Sequence, residues 1–354
     1  FAWNTSIGQW SNLTDFPVYD LKPERTNSFE VGMNMRFLKN FELDVTYYNA
    51  KTMNQTFNPE LPVGEYARIY IQTGAVRNQG LELALNYNNT WKDFTWNTGV
   101  TYSMNKNKIL TLADNAINPI TREKFSISSL NMGGLGSTRF ILKEGGSMGD
   151  IYSLMDLKRD ANGAVYIDEN NSVVTESLEA NNYIKLGSVL PKGNLAWRNN
   201  FSWKNINVAF LVSARLGGVV FSRTQAVLDN FGVSEASAAA RDKGYVSVNG
   251  NDRVNPEGWY SVVAGGTAVP QYYIYSATNI RLQEASIGYT IPRKWLGNVC
   301  DIKVSLIGRN LWMIYNKAPF DPESVASTDN FYQGIDYFMM PSLRNIGFNL
   351  SFKF

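Results

Sequence analysis

Histidine is absent from these 354 residues, and cysteine occurs once, at Cys300. Their scarcity removes a disulfide framework, a Cys/His zinc site and a histidine-based triad or general base, leaving only carboxylate chemistry for an enzyme. No nucleophile and base stand at usable spacing, so the chain reads as a non-enzyme. A field of one sign is missing as well: 33 basic against 31 acidic residues leave a formal net charge of +2, which points to no nucleic acid. No apolar run approaches the roughly 20 residues that a membrane-spanning helix requires. The mean hydropathy of -0.24 is that of a soluble protein, yet spanning strands hide in such a score because only every second residue faces lipid. The amino-terminal FAWNTSIGQW lacks the basic segment, apolar core and cleavage site of a secretory signal. Either the protein is cytosolic, or the chain begins inside something longer.

What is present is apolar and aromatic: 44% hydrophobic residues, with 19 Phe, 19 Tyr and 9 Trp against 12 Pro, too much for disorder. These residues alternate. Phe29, Val31, Met33, Met35 and Phe37 are interleaved with Glu30, Gly32, Asn34 and Arg36. After Leu38-Lys39-Asn40 the pattern restarts, with Phe41, Leu43, Val45 and Tyr47 against Glu42, Asp44 and Thr46. The same two-faced hairpin recurs around Lys92-Asp93 (Leu81 to Trp91, then Phe94 to Met104) and around Lys204-Asn205 (Leu195 to Trp203, then Ile206 to Val212). Ala285 to Ile291 leads through Pro292–Asn298 into Ile302 to Trp312, and Ile346 to Phe354 closes the chain. About ten to twelve strands are expected, counting weaker ones near Thr138–Lys143 and Asp150–Met155.

The connections are asymmetric. Hairpin partners are two or three residues apart, whereas the alternate connections are long: roughly Asn58–Ala67, Thr111–Gly136, Asp156–Leu190, Arg223–Gln271 and Lys317–Tyr337. Short turns on one side and long loops on the other match outer-membrane barrels, with turns periplasmic and loops extracellular. Aromatics crowd the short turns: Phe37 and Phe41, Trp91 with Phe94 and Trp96, Trp203, then Tyr289 and Trp295. Rings with an apolar body and a polar handle suit the headgroup layer. The competing reading is the aromatic core of a β-sandwich, whose strands are usually about 5–6 residues, shorter than these.

The stretch LKPERTNSFEVGMNMRFLKNFELDVTYYNAKT (Leu21–Thr52) resembles a hairpin shared among TonB-dependent receptors, and VRNQGLELALNYNNTWKDFTWNTGVTYSMNKNKIL (Val76–Leu110) resembles the SusC/RagA pattern. ILKEGGSMGDIYSL (Ile141–Leu154), SATNIRLQEASIGYTIP (Ser276–Pro292) and IGRNLWMIYNKAPFDPE (Ile307–Glu323) are similar to further blocks of that family, in the same order. The resemblance implies an all-β chain: the C-terminal half of a transmembrane antiparallel up-and-down β-barrel of 22 strands with a plugged lumen. It implies the outer membrane of a Gram-negative bacterium of Bacteroidetes type. It also implies TonB-dependent import of a glycan or peptide with a SusD-like surface lipoprotein as lid. The plug domain and earlier strands of such a protein do not precede Phe1, so TonB contact belongs to the resemblance alone. Sheet edges in hydrocarbon must be paired. The region near Thr26 and the last strand, Asn345–Phe354, are therefore expected to pair with the rest of the same barrel. A passive porin, or a soluble β-sheet binding protein, are the alternatives.

Glu30, Arg36, Glu42, Asp44, Glu82, Arg198, Arg215, Lys303, Arg309, Arg344 and Lys353 are expected to face a wet lumen or a plug, since burying unpaired charge is costly. On the loops, Trp259, Tyr260, Tyr272, Tyr273, Phe331, Tyr332 and Tyr337 offer rings for cargo, or for packing loop against loop or lid. Asp160, Asn162, Gly163, Asp168 and Glu169 form a weak calcium candidate whose EF-hand register is broken by Val165 and Ile167; an Asn-Gly turn is the simpler reading, and no other cofactor is expected. VSEASAAARD (Val233–Asp242), capped by Ser234, is the one clear helix. Phe354 resembles the terminal signal read by the barrel-assembly machinery.

Overall fold

A computed structural model describes residues 2–4, 9–11, 22–57, 71–117, 122–266, 268–297, 299–327 and 332–353. Its largest sheet has nine strands, each hydrogen-bonded antiparallel to the next in chain order. They are β1 (Arg25–Phe37), β2 (Phe41–Phe57), β3 (Ile71–Trp91), β4 (Phe94–Thr111), β5 (Gly193–Trp203), β6 (Ile206–Leu216), β7 (Asn279–Ile291), β8 (Asp301–Asn316) and β9 (Asn345–Lys353). Among the described residues the sheet does not close on itself: β1 and β9 are free edges, exposed along nearly their whole length.

Period-2 alternation makes this wall, because pairing partners share a face. Val31 opposes Tyr47, Tyr47 opposes Leu81 and Leu81 opposes Met104 on one face. On the other face Asn34 opposes Asp44, then come Ala84, Thr101, Ala196 and Ser213. The hairpin turns are tight, and Leu38, Lys39, Lys92 and Lys204 adopt positive φ to make them.

The apolar face has no core to cover it. Phe29 is 62% exposed, Phe348 76% and Val100 36%, so these residues do not sit in a dry protein interior. Leu83 is partly buried, flanked by Val45 and Tyr102. The aromatic band lies at the short turns, as expected: Phe37 stacks on Phe41 at 5.3 Å, Trp91 on Phe94 at 6.0 Å and Phe94 on Phe201 at 6.2 Å. Two indole donors on this face find their acceptors within it. Trp96 Nε1 donates to Asn199 Oδ1, and Trp197 Nε1 to Thr98 Oγ1, both at 3.1 Å, as hydrocarbon requires.

The dry core lies beyond the long-connection end. The connections β4–β5, β6–β7 and β8–β9 fold together into one body around Phe140, Ile151, Leu157, Phe221, Val263 and Ile335. Phe221 pairs with Ile335 in a parallel bridge that joins two of these excursions, and Ser222 Oγ donates to Asp336 Oδ2 at 2.6 Å. The weaker strands expected near 138 and 150 exist, as Thr138–Lys143 and Asp150–Ser153, but they belong to a four-stranded sheet of this body and not to the wall. The segments 111–136 and 156–190 are accordingly parts of one excursion. Connection 58–67 lies outside the described residues.

Three helices cover the body. α1 (Arg223–Asn230) is capped by Ser222, α2 (Glu235–Lys243) by Ser234, and α3 (Pro256–Val263) by Asn255 with Pro256 in its first turn. α2 is the helix expected from the sequence. The other two carry readable starts in Ser222 and in Asn255-Pro256-Glu257, but each is only eight residues long.

Candidate functional site

The polar face of the wall gathers most of the charges expected to point inward. Arg36 Nη2 lies 3.2 Å from Glu42 Oε1, and Arg309 Nε 3.1 Å from Glu284 Oε2. Asn34 donates to Asp44. Glu30 stands opposite Tyr48, Glu82 opposite Ser103, Arg198 opposite Leu211, Lys303 opposite Thr290 and Lys353 opposite Asp301. The pairs are largely exposed, with the Arg36 side chain at 79%, so they add little stability by themselves and leave their charges available. Arg344 precedes β9 and lies outside the ladder.

Small side chains hollow this face. Ala84, Thr101, Ala196 and Ser213 form one row across four strands. Two adjoining depressions of about 330 and 220 Å³ share Thr101 and Ser103, with Asp44 and Glu82 at one end and Arg215 and Glu323 at the other.

Above this row the body is fastened to the wall by a buried ion cluster. Arg281, in β7, is 4% exposed. Its Nη2 contacts Asp321 Oδ1 at 2.9 Å and Glu323 Oε2 at 3.2 Å, while its Nε donates to Asn279 Oδ1. Burial pushes the Asp321 carboxyl up, but hydrogen bonds from Ser342 and Arg281 outweigh it and hold the group below its usual value. No local pattern marks Arg281, Asp321 and Glu323, since 40 residues separate Arg281 from Asp321.

The loop aromatics divide. Tyr273 is 2% exposed and donates its hydroxyl to Asp229 Oδ2 at 3.0 Å; burial, then the carboxylate, pushes its phenol far above the ordinary range. Tyr273 is therefore part of the body core. Burial and Asp229 also push Tyr275 up to about 12. Trp259 packs on the body core and meets Tyr272 edge-on at 5.2 Å. Tyr260 lines a cavity of about 540 Å³ between the three helices, with Arg241, Glu257 and Phe231. Tyr332 and Tyr337 are 45% and 47% exposed. Phe331 and Phe354 lie outside the described residues.

The carboxylates of the calcium candidate act as turn caps. Asp160 Oδ1 accepts from the backbone N–H groups of Asn162 and Ala164, and Asp168 Oδ1 from those of Asn170 and Ser172. Among the described residues no three potential ligands cluster as a metal site would need.

The sequence family described as TonB dependent receptor-like, beta-barrel matches residues 3–311. The chain belongs to this family. TonB-dependent receptor P3 of Formosa agariphila is 26% identical over 383 residues, covering 97% of the chain and 35% of that protein. Receptor P26 of the same organism is 27% identical, covering 94% and 34%. The chain thus spans about a third of the length of these curated TonB-dependent receptors. Among solved structures, the RagAB peptide transporter matches with a TM-score of 0.68 at 16% identity, over 94% of this chain and 35% of that one. The RagAB importer in its open-open state matches at 0.69. At that identity the likeness is one of fold; it is the family match that makes the nine-stranded sheet a section of an outer-membrane β-barrel of TonB-dependent receptor type.

Proposed function

We propose that this chain is wall and loop body of a SusC/RagA-type TonB-dependent importer that carries a large nutrient, glycan or peptide, across the outer membrane. The observation that carries the reading is the division of one sheet into an apolar face without a core and a charged face, with a separately packed body at one end. The body faces outward, the tight turns face the periplasm, and a SusD-like lipoprotein closes over the exposed rings Tyr332 and Tyr337. The TonB complex acts through parts of the protein beyond this chain, and the barrel-assembly machinery reads the terminal strand. The free edges β1 and β9 pair with the remaining strands of the same barrel.

The test is uptake by intact cells of labelled peptides and oligosaccharides of increasing length, with and without the TonB complex. Tyr332→Ala together with Tyr337→Ala is expected to lower uptake of the true cargo severalfold. Unchanged uptake removes those rings from cargo handling, and uptake that persists without TonB replaces the importer by a passive pore.

A further inference from the structure

The outer face of the wall changes character immediately above its apolar belt. The row Val31, Tyr47, Leu81 and Met104 is followed by Phe29, Asn49, Gln79 and Lys106, and then by Asn27, Lys51, Arg77 and Lys108. Arg25, opposite Met53, comes next on the same face. No acidic residue occupies an outer position in these rows. Among the described residues none of these cations joins an ion pair, and Arg77 Nε is buried without a hydrogen-bond partner. Among the described residues the loop body does not cover them: it packs on the opposite face of the same strands, where Val76, Ile109, Leu112 and Leu142 form a second core.

Height identifies the anion. From Trp91 in the aromatic band to Leu81, β3 runs ten residues, about 33 Å along the strand and about 25 Å along the membrane normal at a 40° tilt. That is the height of an apolar band, so Gln79, Lys106, Arg77 and Lys51 stand at the headgroup layer. Strands about 4.8 Å apart and alternate residues about 6.6 Å apart bring the cations within reach of a single headgroup. Like charges so placed repel one another unless an anion sits between them.

We propose that Lys51, Arg77, Lys106 and Lys108, assisted by Arg25, hold the phosphorylated headgroup of an outer-leaflet glycolipid against the barrel. A cluster spread over two rows and three strands suits a headgroup with more than one phosphate, since each phosphate takes charge-assisted bonds from two or more cations. The proposal rests on the reading that the long connections face outward.

The experiment uses the whole transporter, purified from outer membranes in mild detergent, with bound lipid counted by native mass spectrometry. Wild type is compared with Lys51→Gln/Arg77→Gln/Lys106→Gln/Lys108→Gln and with the charge control Lys39→Asn/Lys92→Asn/Lys204→Asn at the opposite end of the belt. Wild type and control retain phosphorylated glycolipid. The quadruple variant retains at least about tenfold less, each cation beside an anionic surface being worth roughly a factor of five. Equal glycolipid in wild type and quadruple variant overturns the proposal, as does loss of a glycerophospholipid alone. Heat-resistant migration reports folding, and Lys51→Gln/Lys108→Gln replaces the quadruple variant if that one fails to form a barrel. Orientation is read separately, by impermeant maleimide labelling of Ser247→Cys in a Cys300→Ser background on intact cells. Protection there sinks the outward reading and leaves the lipid counts to stand on their own.

Discussion

Arg281 and Asp321 meet at 2.9 Å with their side chains 5% and 10% exposed, one from the wall and one from the last long connection. Removing one partner of a buried pair strands the other charge, at about 3–5 kcal/mol, and Glu323 offsets part of that here. Asp321→Ala is therefore expected to loosen the connection 317–344, with a rise in tryptic cleavage there while the wall keeps its heat-resistant migration. The pH dependence follows from the depressed carboxyl. Its stabilisation is complete above the ordinary aspartate value of about 3.9 and is lost as pH falls through the lower folded value. Cleavage resistance should be flat from pH 8 to 5 and decline in strong acid. A loss already present at pH 6 would show that another group holds the connection.

Gly80, one of two glycines in the block Val76–Leu110, has a physical reason to be there. It stands opposite Tyr48 in the ladder, and a Cβ at this position would come within 2.5 Å of the Tyr48 ring and 2.3 Å of the Met104 carbonyl. The ring lies across the bare backbone and its hydroxyl donates to Asn105 Oδ1 at 3.2 Å. Gly80→Val is expected to cost about 1–3 kcal/mol, as overpacking does, seen as a lower melting point of the barrel band on gels. Tyr48→Ala should relieve part of the ring clash, and a double variant no better than Gly80→Val would place the whole problem at the Met104 carbonyl.

The wall was legible because its signal is local: each strand declares its own two faces, and a two-residue turn fixes the partner. Where a strand goes after a long excursion is not local. Thr138–Lys143 and Asp150–Ser153 alternate much as wall strands do, and nothing within them says that they pair with each other and with Ser129–Leu135 in the body. That charges such as Glu30, Arg36 and Glu82 share one face of the wall was legible for the same reason of parity, but the ion cluster was not, because Arg281 and Asp321 are joined only by the folding of the body. Aromatic residues on the loops announced themselves by type, and burial alone separates Tyr273 from Tyr332.

That separation is testable. Tyr273→Phe removes a buried hydrogen bond to Asp229, leaving Gln225 Nε2 as its remaining side-chain donor at 2.9 Å. The expected cost is about 1–2 kcal/mol, read as faster hydrogen exchange across α1 and the strand Val219–Ser222. Cargo uptake should be unchanged, since the ring keeps its place in the core. A severalfold loss of uptake with undisturbed exchange would return Tyr273 to the cargo-binding set.

The two faces of the wall make opposite demands on a charge, and neighbouring residues of β3 can report both. Leu85 lies on the apolar face near the middle of the belt, whereas Ala84 faces the polar hollow beside Asp44 and Thr101. A lysine at the bilayer midplane on the lipid side of a barrel costs about 2–4 kcal/mol, and lumen positions escape that penalty. Leu85→Lys should lower the unfolding free energy in lipid vesicles by that amount. Ala84→Lys, one residue away and of the same added charge, should change it by less than about 1 kcal/mol, because its ammonium reaches Asp44 and water. Both variants refold from urea into the same vesicles, so assembly factors do not enter the comparison. Equal penalties for the two would mean that lipid does not distinguish the faces, and the assignment of this sheet to a membrane wall would fall with it.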